Sequence, residues 1–73
     1  MNKKRKQNIA LFASMLQDIY NKLDTILDDE QDYLDNMPEN LQGGITADRS
    51  QEYIDNLTEA LDYIDSAIDL LKN

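Results

Sequence analysis

Two apolar stripes of helical period, separated by one break, constrain this chain more than any other feature. In the first stripe Ile9, Leu16 and Leu23 occupy heptad position a, and Phe12, Ile19, Ile26 and Tyr33 occupy d. Ala13, Tyr20, Leu27 and Leu34 fall at e, and Glu30 interrupts a. In the second stripe Ile54, Leu57, Leu61, Ile64, Ile68 and Leu71 recur at steps of three and four. Side chains at those steps share one face of a helix, so each segment reads as an amphipathic helix. Between them Asn36-Met37-Pro38 should stop the first helix, because proline lacks the amide donor and disfavours helical geometry in the residue before it. Gly43-Gly44 then permits the reversal. The expected fold is all-α: an antiparallel two-helix hairpin with a basic tail at 1–6, helix 1 at 7–36, a loop at 37–47 and helix 2 at 48–72.

Local signals refine that expectation. Thr46 or Asp48 can cap helix 2, with Gln51 completing an Asp48-x-x-Gln51 capping box. Leu41 and Ile45 are placed to plug the closed end of the hairpin. Leu16, Leu23 and Ile26 of helix 1 are expected to meet Leu57, Leu61 and Ile64 of helix 2. An a/d/e stripe is wider than a two-stranded seam and suits a bundle. Leu11 and Met15 on helix 1, and Tyr63 and Leu70 on helix 2, lie outside the stripes altogether. A hairpin cannot cover this much apolar surface alone, which points to a four-helix dimer or to docking on a larger partner. The residues expected at that oligomer interface are Leu11, Met15, Tyr20, Leu27, Leu34 and Leu70.

Chain length supports the same conclusion. With 73 residues, no cysteine and no histidine, the chain has neither a disulfide framework nor a His/Cys metal clip to support a small core. The absence of cysteine fits a reducing, cytoplasmic setting. A short basic run before Ile9–Leu16 mimics a secretory signal, but the apolar run is short, lacks a small-residue cleavage pattern and continues in phase into the helix. No segment approaches the ~18 apolar residues that a membrane span requires.

Charge is distributed unevenly. Lys3, Lys4, Arg5 and Lys6 hold four of the seven basic residues, while from Gln7 onward fifteen acids face three bases, a balance of −12. A body this acidic repels nucleic acid and favours a basic protein surface. Along helix 2 the acids Asp48, Glu52, Asp55, Glu59, Asp62, Asp65 and Asp69 recur at steps of three and four, nearly opposite the apolar stripe. Like charges at that spacing destabilise a helix slightly. Eleven of the fifteen acids are aspartate, a poorer helix former than glutamate, and its short side chain holds the charge near the backbone. The ridge carries one charge per ~5 Å of helix, against one per ~3.4 Å along a DNA strand. These acids, with Tyr63 beside them as an apolar anchor, form the candidate partner-binding surface; a solvated outer face is the plainer reading of the same pattern.

The central segment Asp29-Glu30-Gln31-Asp32-Tyr33-Leu34-Asp35-Asn36-Met37-Pro38-Glu39-Asn40-Leu41-Gln42 resembles the signature of small helical-hairpin proteins of Gram-positive bacteria and their phages, which read E-x-x-Y-x-D-N-x-P-E-N-L-Q. The resemblance extends over about residues 29–70, and this chain departs from it by inserting Gly43–Ala47. It implies a helical hairpin and, by analogy with small acidic phage proteins, an inhibitor of a host nucleic-acid-binding or defence protein. A structural or scaffold component acting through bundle assembly is the alternative.

Catalysis has little support. No serine has a candidate base beside it, and no glycine-rich loop precedes a helix to cradle phosphate. A magnesium-dependent helical pyrophosphohydrolase needs paired acids on adjacent helices. Glu59-x-x-Asp62 supplies half of such a set, while Asp28, Asp29, Asp32 and Asp35 offer no matching pair. A calcium loop at Asp28-x-Glu30-x-Asp32 is weaker, since Tyr33 stands where the tight turn wants glycine. The expectation is a binding protein, not an enzyme, with no cofactor, no metal, no membrane contact and no direct nucleic-acid contact.

Overall fold

The computed structural model describes residues 1–73 as two helices packed side by side. Helix α1 spans Lys3–Asp35 and helix α2 spans Ile45–Lys72, joined by a single 3₁₀ turn at Glu39–Leu41. The hairpin is long and thin, 59 by 15 by 13 Å, and contains no strand.

Helix α1 starts earlier than the periodicity suggested. The Asn2 side chain accepts a hydrogen bond from the Arg5 amide at 2.8 Å, which satisfies one of the otherwise unpaired donors of the first turn. Lys3–Lys6 are therefore helical and not a separate tail. At the other end the Asn36 amide and side chain both donate to the Asp32 carbonyl, at 3.0 and 2.8 Å. Met37 donates to the Leu34 carbonyl, and Pro38 takes an extended ψ that leads the chain off the helix axis.

The connection is held by its own hydrogen bonds. Leu41 donates to the Pro38 carbonyl at 2.8 Å and Gly44 to the Leu41 carbonyl at 3.1 Å. The Gln42 side chain donates to the Met37 carbonyl at 3.1 Å. Neither glycine uses a positive φ. Gly44 is needed for space: a Cβ there would stand 3.3 Å from the Leu41 carbonyl oxygen. Gly44 is also the N-cap of α2, with its carbonyl accepting from the Asp48 amide. The helix thus begins three residues before Asp48, and the expected Asp48–Gln51 capping box does not form. Asp48 instead lies in the first turn, where its charge complements the helix dipole, and Gln51 donates forward to Asp55 at 2.9 Å.

The seam between the helices corrects the expected pairing. On α1 the partly or fully covered side chains are Ile9, Ala13, Leu16, Tyr20, Leu23, Leu27, Glu30 and Leu34, which are heptad positions a and e, with Gln17 at b beside them. The d residues Phe12, Ile19, Ile26 and Tyr33 are all about half exposed. Ile26, expected in the seam, is 53% exposed. The reason is angular. At 3.6 residues per turn, e lies about 40° from a while d lies about 60° away on the other side. One neighbouring helix covers the narrower pair. Ala13 on α1, with Ala47 and Ser50 on α2, are small residues buried in that seam and let the helices approach closely.

On α2 the buried line is Ile54, Leu61 and Ile68, with Leu57 and Ile64 partly covered beside it. The closed end is plugged by Met37 and Ala47, not by Leu41 at the end of the 3₁₀ turn or Ile45 at the start of α2, which are both exposed. Only seven of 73 residues are buried. The hairpin therefore has a core one side chain deep.

Candidate interaction surfaces

The outside of the hairpin is divided into an apolar side and an acidic side. The α1 stripe Phe12, Ile19, Ile26, Tyr33 lies on one flank of the seam. Ile26 shares a groove with Tyr53, Asn56, Leu57 and Ala60 of α2, so the two helices turn their apolar flanks the same way. Helical periodicity continues the α2 flank through Ile64, Ala67 and Leu71. Scattered exposed hydrophobics are ordinary, but a contiguous patch along a whole molecule marks an interaction surface. Glu30 is the one charged side chain lining that groove.

The acidic side belongs to α2. Asp48, Glu52, Asp55, Glu59, Asp62, Asp65 and Asp69 are all exposed. With Ile54, Leu61 and Ile68 facing α1, the 3.6-residue repeat turns Asp48, Glu52, Asp55 and Glu59 to the outer side, and brings Asp62, Asp69 and then Asp65 round to the rim of the seam opposite the apolar flank. The ridge is ~32 Å long at the rise of an α-helix. Tyr63 stands on its edge, 69% exposed, and its hydroxyl donates to the Glu59 carboxylate at 3.2 Å. That bond ties the ring to the ridge and leaves its face to solvent.

The residues proposed from sequence for an oligomer interface fall into three places. Tyr20, Leu27 and Leu34 are taken up in the seam of the hairpin, because the seam runs through e. Leu11 and Met15 are half exposed at the outer edge of the apolar flank. Leu70 is 77% exposed on the acidic side. The d residues form the actual open stripe; of these only Ile26 is expected in the seam from the sequence, and none is expected at the oligomer interface. The signal that marks them is the identity of e: it opens with Ala13, the residue type that permits close helix approach, whereas d holds only bulky side chains.

Glu59 and Asp62 stand on the ridge, away from Asp28, Asp29, Asp32 and Asp35, and no three acids converge where a metal ion could be held. At the open end, Ile9, Ala10 and Ala13 form a shallow apolar depression with Leu70 and Leu71. No helix is long and apolar enough to cross a membrane. Compared with models of known protein families, with curated proteins and with solved structures, the chain gives no significant match.

Proposed function

We propose that this chain is a small acidic protein-binding module that presents the α2 ridge to a basic surface of a partner protein and carries out no catalysis. The observation that carries this reading is the orientation of the ridge. Seven exposed acids lie on a helix that Ile54, Leu61 and Ile68 anchor in the seam. The charges are thus held on a supported helix, an arrangement that steers a basic partner and favours fast association. The finer reading is an inhibitor, phage- or prophage-encoded and acting in the cytoplasm, that occupies the basic groove of a host nucleic-acid-binding or defence protein. Its support is the charge spacing of the ridge together with the resemblance of residues 29–70.

The test compares affinity capture by the native chain and by a variant with Asp55→Asn, Glu59→Gln, Asp62→Asn and Asp69→Asn. The native chain should retain a basic protein, with affinity falling as salt screens exposed charges. The neutralised chain should stay folded and lose that partner. Equal retention by both overturns the ridge as the contact. Magnesium-dependent nucleotide turnover, abolished by Glu59→Gln or Asp62→Asn alone, would replace binding with catalysis.

A second reading, assembly through the apolar side, is favoured by the open stripe Phe12, Ile19, Ile26, Tyr33. It is compatible with the first, since the two surfaces lie on different sides of the hairpin.

A further inference from the structure

We infer that the open apolar side is the interface of a homodimer in which two hairpins lie face to face and antiparallel, the turn end of each against the open end of the other. The inference does not depend on the ridge having a partner.

The apolar pattern is self-complementary about a two-fold axis. On α1 the open stripe reads Phe12, Ile19, Ile26, Tyr33: aromatic, isoleucine, isoleucine, aromatic. Its midpoint lies between Lys22 and Leu23. An antiparallel two-fold there sets Phe12 across from Tyr33 of the other copy, and Ile19 across from Ile26. On α2 the flank reads Tyr53, Leu57, Ala60, Ile64, Ala67, Leu71, with its two most exposed members, Tyr53 and Leu71, set across from each other and large and small side chains alternating between them. Its midpoint is Asp62. A two-fold there sets Leu57 over Ala67 and Ile64 over Ala60, large side chains over small ones, as close packing between helices requires.

A single axis serves both helices only if the two midpoints lie near one level, and the hairpin register puts them there. Ile26 and Glu30 lie beside Tyr53, Leu57 and Ala60. At the open end Ile9 and Ala13 lie beside Leu70 and Leu71. Equal steps inward along both helices bring Lys22 and Leu23 level with about Asp62 from the first place and with about Glu59 from the second, so the two midpoints lie within about three residues, or ~5 Å, of one level. The other face-to-face arrangement, with both turns at the same end, lays α1 on α2 of the second copy and matches neither pattern to itself.

Charge selects the same orientation. Lys3, Lys4, Arg5 and Lys6 occupy the first turn of α1, and its last turn carries acids and no base. Both placements oppose the helix dipole, at a cost of about 0.3–1 kcal/mol per charge. Antiparallel stacking of α1 on its copy sets Lys6 level with Glu39 of the other chain and the rest of the basic turn just beyond the acidic end of its α1. The reverse stacking gathers two acidic turns at one end. The face also runs the full length of the hairpin, 59 Å, so the contact is long and not a point of crossing. The ridges of both copies remain outside.

The test uses the full chain labelled at one introduced cysteine, which is clean because the native sequence has none. Sedimentation equilibrium at micromolar concentration should give twice the 8.4 kDa chain mass. A spin label at Gln7→Cys, on the outer side of α1, should report a separation of about 45 Å between copies, the axial offset expected for two helices crossing at Leu23. A dimer with the labels about 20 Å apart has both turns at one end and overturns the orientation. A monomer, a trimer or a larger assembly overturns the interface. The paired substitution Ile19→Asp and Ile26→Asp should weaken dimerisation by about a hundredfold or more, because two carboxylates per chain would be buried without partners. A dimer of unchanged strength in that variant also refutes the face.

Discussion

The phase of the seam can be tested by comparing two leucine-sized deletions at positions that the periodicity alone treats alike. Leu61 is 4% exposed between the helices, and Ile26 is 53% exposed on the open flank. Leu61→Ala leaves a cavity in a core that is one side chain deep. Losses for such truncations run to about 2–5 kcal/mol, and a thin core that can settle inward belongs near 2–3 kcal/mol. Total stability for a chain of this length is about 4–11 kcal/mol, so the variant forfeits a large share of it. Ile26→Ala removes a side chain only half covered. Full burial of isoleucine is worth about 1.5–3 kcal/mol, so the cost within one hairpin is about 1 kcal/mol. Urea unfolding followed by circular dichroism, at two protein concentrations a decade apart, separates the cases. In dilute solution Leu61→Ala should lower the midpoint two- to three-fold more than Ile26→Ala. At the higher concentration the loss from Ile26→Ala should grow, because only the native chain gains from association. Equal losses in the dilute limit would mean that α1 packs through a and d, and would refute the a/e seam.

Other substitutions probe single features. The Ser50 hydroxyl is buried without a hydrogen-bond partner, so Ser50→Ala should leave stability unchanged or raise it by about 1 kcal/mol, read from the thermal midpoint. Glu30→Leu fills the interrupted a position beside Ile26, Leu57 and Ala60. It should stabilise the fold by about 1 kcal/mol in urea, and a destabilised variant would show that the carboxylate has a structural role there. Neutralising Asp55, Glu59, Asp62 and Asp69 relieves repulsion along α2 and should raise the melting temperature at low salt. The same variant should show less gain from added salt than the native chain.

What the sequence conveyed, and what it did not, follows from the physics of each element. The bend was legible because Pro38 and the Gly43-Gly44 pair have few other uses between two apolar stripes. The ridge was legible because its direction depends only on the 3.6-residue repeat once Ile54, Leu61 and Ile68 face inward. The start of α2 was misplaced because Asp48 is a good capping residue in isolation. In the hairpin Gly44 is the N-cap instead, its amide donating to the Leu41 carbonyl of the 3₁₀ turn and its carbonyl accepting from Asp48, so the helix starts three residues earlier. The seam phase was ambiguous for a deeper reason. An a/d/e stripe contains two possible seams, a/d and a/e, and periodicity assigns them equal standing. Small residues buried in the seam mark the choice, with Ala13 at its open end and Ala47 and Ser50 towards the turn. Once a and e are used inside the hairpin, d has no intramolecular partner. A stripe that a single neighbouring helix cannot cover is the pattern of a helix with two neighbours, and the aromatic–isoleucine–isoleucine–aromatic order of d matches the second neighbour to another copy of α1.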